Sequence, residues 1–180
     1  MTRRLLTAAI AASTLLAAAA AHAEDKAPRP GPDHARLGFF VGKWKTTGVI
    51  NDSPFMPGGK FTETSDCQWF SGNFSVVCRT KGKGPAGPME AMAIMGWSGE
   101  EKVYVFYGVE SNPMAWATVP RGTYADGTWT FEDESRMGGQ MVKSRYVIKQ
   151  VDGKGYTSTW SILGQDGQWK VLMEATSKRA

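Results

Sequence analysis

The chain has 180 residues, a formal net charge of +4 and two cysteines. Arg3 and Arg4 stand at the very start of the chain, and without these two arginines the net charge falls from +4 to +2. The other Lys and Arg residues are scattered, the longest basic patch being Lys178-Arg179. A nearly neutral protein without a basic stripe is not expected to bind nucleic acid.

Residues 1–23 have the features of a secretory signal peptide. Arg3 and Arg4 precede an uncharged run over residues 5–20, and Ala21-His22-Ala23 fits the small-x-small cleavage signal. The run is shorter than the roughly 20 apolar residues that cross a bilayer. The sequence therefore predicts cleavage after Ala23, a periplasmic or secreted protein, and no membrane span after cleavage.

Residues 24–33 are rich in proline and are predicted to be a disordered tether. Residues 34–41 can form one or two helical turns, for which Asp33 is a plausible N-cap. The helical pattern stops at Gly42, and residues 34–180 are predicted to form one domain.

Beyond Gly42 the chain consists of short segments rich in β-branched and aromatic residues, separated by turn residues. Asp126-Gly127, Asp152-Gly153 and Asp166-Gly167 are typical of tight hairpins. Ten strands are predicted, at 43–50, 60–70, 74–81, 89–97, 103–109, 114–124, 128–135, 141–151, 155–163 and 168–178. Because the loops are short, the fold class predicted is all-β, an antiparallel up-and-down β-barrel of about ten strands, preceded by a short helical turn.

The two cysteines, Cys67 and Cys78, are predicted to form a disulfide, as an even number of cysteines in an exported chain suggests. A turn centred on Gly72-Asn73 places them opposite each other on neighbouring strands. A two-residue turn would put the pair in the hydrogen-bonded register. A four-residue loop over 71–74 would put it in the non-hydrogen-bonded register, where the Cβ atoms are closer.

The opening of the domain carries a family resemblance. The residues His34-x-x-Leu37-x-x-Phe40-Val41-Gly42-x-Trp44 are similar to the start of lipocalins and the wider calycin group. With Gly96-Trp97-Ser98 followed by an aromatic strand, the chain resembles an uncharacterised bacterial lipocalin-like family of unknown function. The resemblance implies a lipocalin-like barrel in which Trp44 plugs the closed end and Arg179 (or Lys178) lies across it. It implies no activity.

Strand alternation then predicts the side chains that point into the barrel. The residues chosen as a lumen site combine hydroxyls, aromatic rings and one carboxylate: Thr46, Glu63, Ser65, Trp69, Tyr146, Ser158 and Trp160. Such a lining suits a small amphipathic or aromatic ligand. Side chains that simply fill the barrel are the alternative. Glu63 would have to be paired, hydrated or protonated if it points inward, and would be solvated if strand two faced the other way.

Metal and cofactor chemistry has little support in the sequence. Haem is unlikely, because the only histidine outside the signal peptide, His34, precedes the barrel. Met89, Met92 and Met95 carry thioethers that suit Cu(I), but a strand would place Met92 on the opposite face, and apolar packing is the simpler interpretation. No metal site is predicted.

Three functions remain open. The first is a small-molecule binding protein that uses its lumen. The second is a structural or partner-binding protein with a filled barrel, acting through loops such as 51–59 with Phe55 and Met56 exposed at the tip. The third is a lumen enzyme of the isomerase or hydratase type. No catalytic residue is assigned, and the adjacent pairs Asp133-Glu134 and Glu100-Glu101 are interpreted as solvated turn residues.

Overall fold

The computed structural model describes residues 28–111, 118–151 and 155–180. The predicted signal peptide and residues 24–27 of the predicted tether lie outside the described residues. Ten strands follow one short helix and a 3₁₀ turn, Leu37–Phe40, in chain order. Their bounds are α1 Pro32–Arg36, β1 Gly42–Ile50, β2 Gly59–Trp69, β3 Ser75–Gly84, β4 Gly87–Ser98, β5 Val103–Glu110, β6 Arg121–Ala125, β7 Thr128–Met137, β8 Gln140–Val151, β9 Gly155–Leu163 and β10 Trp169–Arg179.

The strands form a closed antiparallel barrel in sequence order, with β1 pairing β10 to complete the circle. This confirms the predicted fold class. Each described strand has a hydrogen-bonded neighbour on both sides. Removing exposed sheet edges in this way is the usual reason for a chain of short strands to form a barrel. Among the described residues, no helix is long and apolar enough to cross a membrane.

The helix and the sixth strand begin at residues other than those predicted. The helix begins at Pro32 and its N-cap is Gly31, so Asp33 is not the cap. The backbone N–H of Gly31 donates to Nδ1 of His34 at 3.1 Å, which satisfies one of the free donors of the first turn. The described part of the sixth strand begins only at Arg121, since Pro120 has no N–H to donate to the ladder. The start of the predicted strand, at 114–117, lies outside the described residues.

The disulfide between Cys67 and Cys78 is present and joins β2 to β3. The backbone N–H of Phe70 donates to the carbonyl of Ser75 at 2.8 Å, so that the connection is the four-residue loop. Gly72 and Asn73 supply its positive φ angles, 86° and 60°. Alternation from that hydrogen-bonded pair puts the cysteines in the non-hydrogen-bonded register, with their Cα atoms 4.0 Å apart.

The core is concentrated at one end of the barrel, which is closed by the 3₁₀ turn and by large aromatic side chains. Trp44, Tyr104, Trp129 and Phe131 are among the largest fully buried side chains there, together with Leu37. The aromatic rings contact one another at angles; the centroids of Tyr124 and Trp129, for example, lie 4.5 Å apart. This packed end fixes the floor above which the lumen opens.

Candidate functional site

The lumen above the packed end is an open cavity of about 720 Å³. Its described lining combines aromatic rings, methionines, small residues, hydroxyls and carboxylates. Of the predicted site residues, the cavity wall includes Thr46, Glu63, Ser65, Tyr146, Ser158 and Trp160. The filled-barrel interpretation therefore does not describe this structure, since the inward side chains at this end leave a cavity of this size between them.

Trp69 is the predicted site residue that the structure places elsewhere. It lies at the last position of β2, below the cavity, where its indole contacts Gly38 of the 3₁₀ turn. Its parity along β2 is the inward one, as predicted, but the strand reaches the closed end of the barrel at this point. Trp69 thus packs against the plug and does not line the lumen.

The plug itself has the arrangement that the resemblance implies. Trp44 is buried and its indole N–H donates to the carbonyl of Phe40 at 2.7 Å. The guanidinium of Arg179 lies 3.9 Å from the centre of the Trp44 ring and donates to the carbonyls of Val41 and Phe39. The structure thus places Arg179, rather than Lys178, over the indole. These contacts join the last strand to the turn before the first one, where cation–π attraction and hydrogen bonds act together.

Most hydroxyls in the wall hydrogen-bond one another. Thr46 and Ser177 are 2.7 Å apart between their oxygens, and Ser65 and Thr80 are 2.8 Å apart. The phenol of Tyr146 hydrogen-bonds Ser158, and burial raises its pKa far above the usual range. The phenol therefore stays protonated at neutral pH. Because a hydroxyl both donates and accepts, these pairs can also offer a hydrogen bond to a ligand.

Glu63 points into the lumen from the middle of β2. Its neighbours across the strands are Thr46 on β1 and Gly82 on β3. A side chain at position 82 would have its Cβ only 2.7 Å from Cγ of Glu63, so glycine there makes room for the carboxyl stem. Burial, followed by the charge of Glu110, raises the pKa of Glu63 to about 7. The interpretation of Glu63 as a solvated outer residue does not fit this position.

A family model described as "Protein of unknown function (DUF1579)" matches residues 29–179. The chain belongs to this family. No curated protein matches the chain.

Solved structures extend the likeness at the level of fold. The chain is similar to Rv2717c from M. tuberculosis with 10% sequence identity and a TM-score of 0.59, over 83% of this chain and 98% of that one. It is also similar to the S-type phycobiliprotein lyase CPES from Guillardia theta with 14% identity and a TM-score of 0.53, over 82% and 92% of the two chains. At these identities the likeness shows the barrel fold and no shared site.

Several lining residues were not predicted from the sequence. Asp133 is one of them: it lies inside β7 and faces the lumen, where its carboxylate accepts hydrogen bonds from Thr118 at 2.6 Å and Ser144 at 2.5 Å. The interpretation of Asp133 as a solvated turn residue is therefore wrong. Alternation with Trp129 and Phe131 on the same strand would have revealed its inward direction. Glu110, at the end of β5, shares the inward parity of Tyr104 and Phe106, but the predicted strand ended at residue 109.

The loop 51–59 also differs from the expectation. Phe55 and Met56 are both half-buried and do not form an exposed tip. The ring of Phe55 lies against Gly138 in the β7–β8 hairpin, and Met56 lines the cavity. The loop thus bends across part of the open end, because its apolar residues lose contact with water there.

The methionines are distributed around the lumen and do not converge. Met89 and Met95 share the inward parity of β4, but six residues of extended strand separate them, which is about 20 Å. Among the described residues, no group of three or more His, Cys, Asp or Glu side chains could hold a metal ion. Thioethers are flexible and polarizable, so the shape of such a wall can adjust.

Proposed function

We propose that this protein is an exported binding protein that holds a small, partly apolar molecule in its barrel lumen. The observation that carries the proposal is the cavity of about 720 Å³ above a packed floor. Sites for small molecules usually have volumes of about 300–1,000 Å³, with an apolar wall and a few polar groups that set the orientation.

The wall has both parts of such a site. Phe61, Phe106 and Trp160 offer flat apolar surfaces. The hydroxyls and Glu63 offer polar contacts within the same space. A molecule with an aromatic or aliphatic body and one polar end would satisfy both, while a fully polar molecule would leave the rings in contact with water.

Export is part of the proposal. It rests on the signal-peptide pattern of residues 1–23, and a disulfide in a small domain is compatible with an oxidising compartment. The periplasm, or the medium outside the cell, is therefore the compartment in which we expect the ligand to be found.

Native mass spectrometry of the protein purified from periplasm tests the proposal. The mature protein is expected to begin at Glu24 and to carry a mass excess that disappears on denaturation. Where the ligand is lost during purification, the fluorescent probe N-phenyl-1-naphthylamine replaces it in a titration. We expect this probe to bind in the lumen with an increase in its fluorescence.

Two substitutions on β4 provide the matched control. Ala91 lines the lumen, and Ala91→Trp is expected to fill it and weaken probe binding at least tenfold. Ile94 faces outward on the same strand, and Ile94→Trp should leave binding unchanged. A bare native mass together with no probe binding by the unsubstituted protein would contradict a binding function. Equal effects of the two substitutions would place the probe outside the lumen.

A further inference from the structure

The charges that face the lumen are mostly negative. The described wall contains Glu63, Glu110 and Asp133 as carboxylates and Arg136 as the one guanidinium. Arg136 is exposed, has the outward parity of β7, and donates to the carbonyl of Gly139 in the hairpin at the rim. The interior below that rim therefore presents carboxylates without a described basic side chain among them.

The carboxylates differ in what surrounds them. Asp133 accepts hydrogen bonds from Thr118 and Ser144, so protein groups already stabilise its charge. Among the described residues, none donates a hydrogen bond to the carboxylate of Glu63 and none forms an ion pair with it. A largely buried carboxylate in this situation is costly to ionise. A positive charge brought by a ligand would offset that cost, whereas a negative one would increase it.

The surroundings of Glu63 also suit a cation attached to an apolar body. The rings of Tyr146 and Tyr156 lie close enough to Glu63 for its charge to raise the pKa of both phenols. Aromatic faces attract cations, in particular where water is excluded. The carboxylate of Glu110 faces the same space and adds to its negative potential.

We propose that the molecule held in this lumen is an amphipathic cation, with an apolar body along the aromatic wall and a positively charged nitrogen beside the carboxylate of Glu63. This inference rests on the proposed function and names the chemical class of its ligand. It excludes fatty acids and other amphipathic anions as the preferred class.

Three probes with the same naphthalene body test the charge preference. They are (2-naphthylmethyl)trimethylammonium, its neutral isostere 2-neopentylnaphthalene, in which a carbon replaces the nitrogen, and the anion 2-naphthylacetate. Binding is measured by quenching of tryptophan fluorescence at pH 8 on the mature protein. We expect the cation to bind at least tenfold more tightly than the neutral isostere, and the anion to bind most weakly.

Substitution then assigns the preference to one residue. Glu63→Gln is expected to remove most of the preference for the cation over the neutral isostere while leaving the affinity for the neutral isostere within about twofold. Glu174→Gln removes a carboxylate from the outer face of β10 and should change neither affinity. Circular dichroism checks that both variants are folded.

If Glu63→Gln does not fold, probe affinities of the unsubstituted protein at pH 6 and pH 8 test the same charge preference. The charge of the trimethylammonium probe is permanent, so a change in its binding with pH reports on protein groups. Burial raises the pKa of Glu63 to about 7. Glu63 faces Glu110 and the phenols of Tyr146 and Tyr156, and both phenols stay neutral because burial raises their pKa. The cation should bind several-fold more weakly at pH 6 than at pH 8, and the neutral isostere equally at both.

The outcomes separate the two proposals. Binding of the neutral isostere as tightly as the cation, or retention of the cation preference in Glu63→Gln, overturns the charge assignment and leaves lumen binding standing. Failure of all three probes and of N-phenyl-1-naphthylamine to bind counts against the binding function itself.

Discussion

Side chains alternate between inward and outward along the strands at both ends of this barrel, but the inward side chains of the closed end and the open end differ. At the closed end, Trp44, Trp129 and the 3₁₀ turn fill the interior. At the open end, alanines, glycines, hydroxyls and methionines share the inward positions with carboxylates and aromatic rings, and about 720 Å³ remains. The tightly packed side chains are thus concentrated at one end of the barrel, and the open space at the other.

The largest expected effect is a difference in stability between two tryptophan substitutions, one at each end of the barrel. Trp44→Ala removes a fully buried indole from the plug and should lower the free energy of unfolding by about 3–5 kcal/mol. Trp160→Ala removes a half-buried indole from the cavity wall and should cost about 1–2 kcal/mol, since it enlarges a space that is already open. Urea unfolding of both variants at one pH measures the difference. Equal losses would show that the lumen wall is as tightly packed as the plug.

The next effect concerns the carboxylate in the lumen. The folded-state pKa of Glu63 is about 7, above its ordinary value of 4.5, because burial disfavours the charged form. Between those two pH values the unfolded chain binds fewer protons than the folded one, so that stability falls as pH rises. Glu63→Gln removes this loss and should stabilise the protein by about 2–3 kcal/mol at pH 8 relative to pH 4.

Thermal unfolding of the unsubstituted protein and the Gln variant across pH 4–8 measures this effect. Glu174→Gln, on the outer face of the barrel, is the control and should leave the pH profile unchanged. If the Gln variant has the same dependence of stability on pH as the unsubstituted protein, Glu63 is well hydrated and its ionisation does not destabilise the fold. The open end would then differ less from the closed end than the structure indicates.

The smallest expected effect concerns the outside of the plug. Arg179→Ala removes a cation from the face of Trp44 and a hydrogen bond of 2.7 Å to the carbonyl of Phe39. Because the guanidinium is exposed, the loss should be about 1 kcal/mol. Lys178→Ala, the neighbouring exposed cation, should lie within about 0.5 kcal/mol of the unsubstituted protein. Chemical unfolding distinguishes them, and a larger loss for Lys178→Ala would show that the stabilising contact is not the one over the indole.

The sequence by itself determined the ten-strand barrel and the pairing of Cys67 with Cys78, because each depends on local turn chemistry and on a period of two along a strand. It favoured the inward direction of Glu63 and left the opposite direction open, and the structure decided between them. Alternation along a strand indicates whether a side chain points inward or outward, but it does not indicate the level along the barrel axis at which the side chain lies. It therefore assigned Trp69 to the lumen, although that residue lies against the plug.

Only the tertiary structure decided between a filled and an open barrel. That outcome depends on the summed volumes of side chains from all strands at one level, and on the circumference that the strands enclose. The same closure brought Glu110 near Glu63 from a distant strand and folded Phe55 across the open end. Such contacts between residues far apart in the chain leave no periodic signal in the sequence.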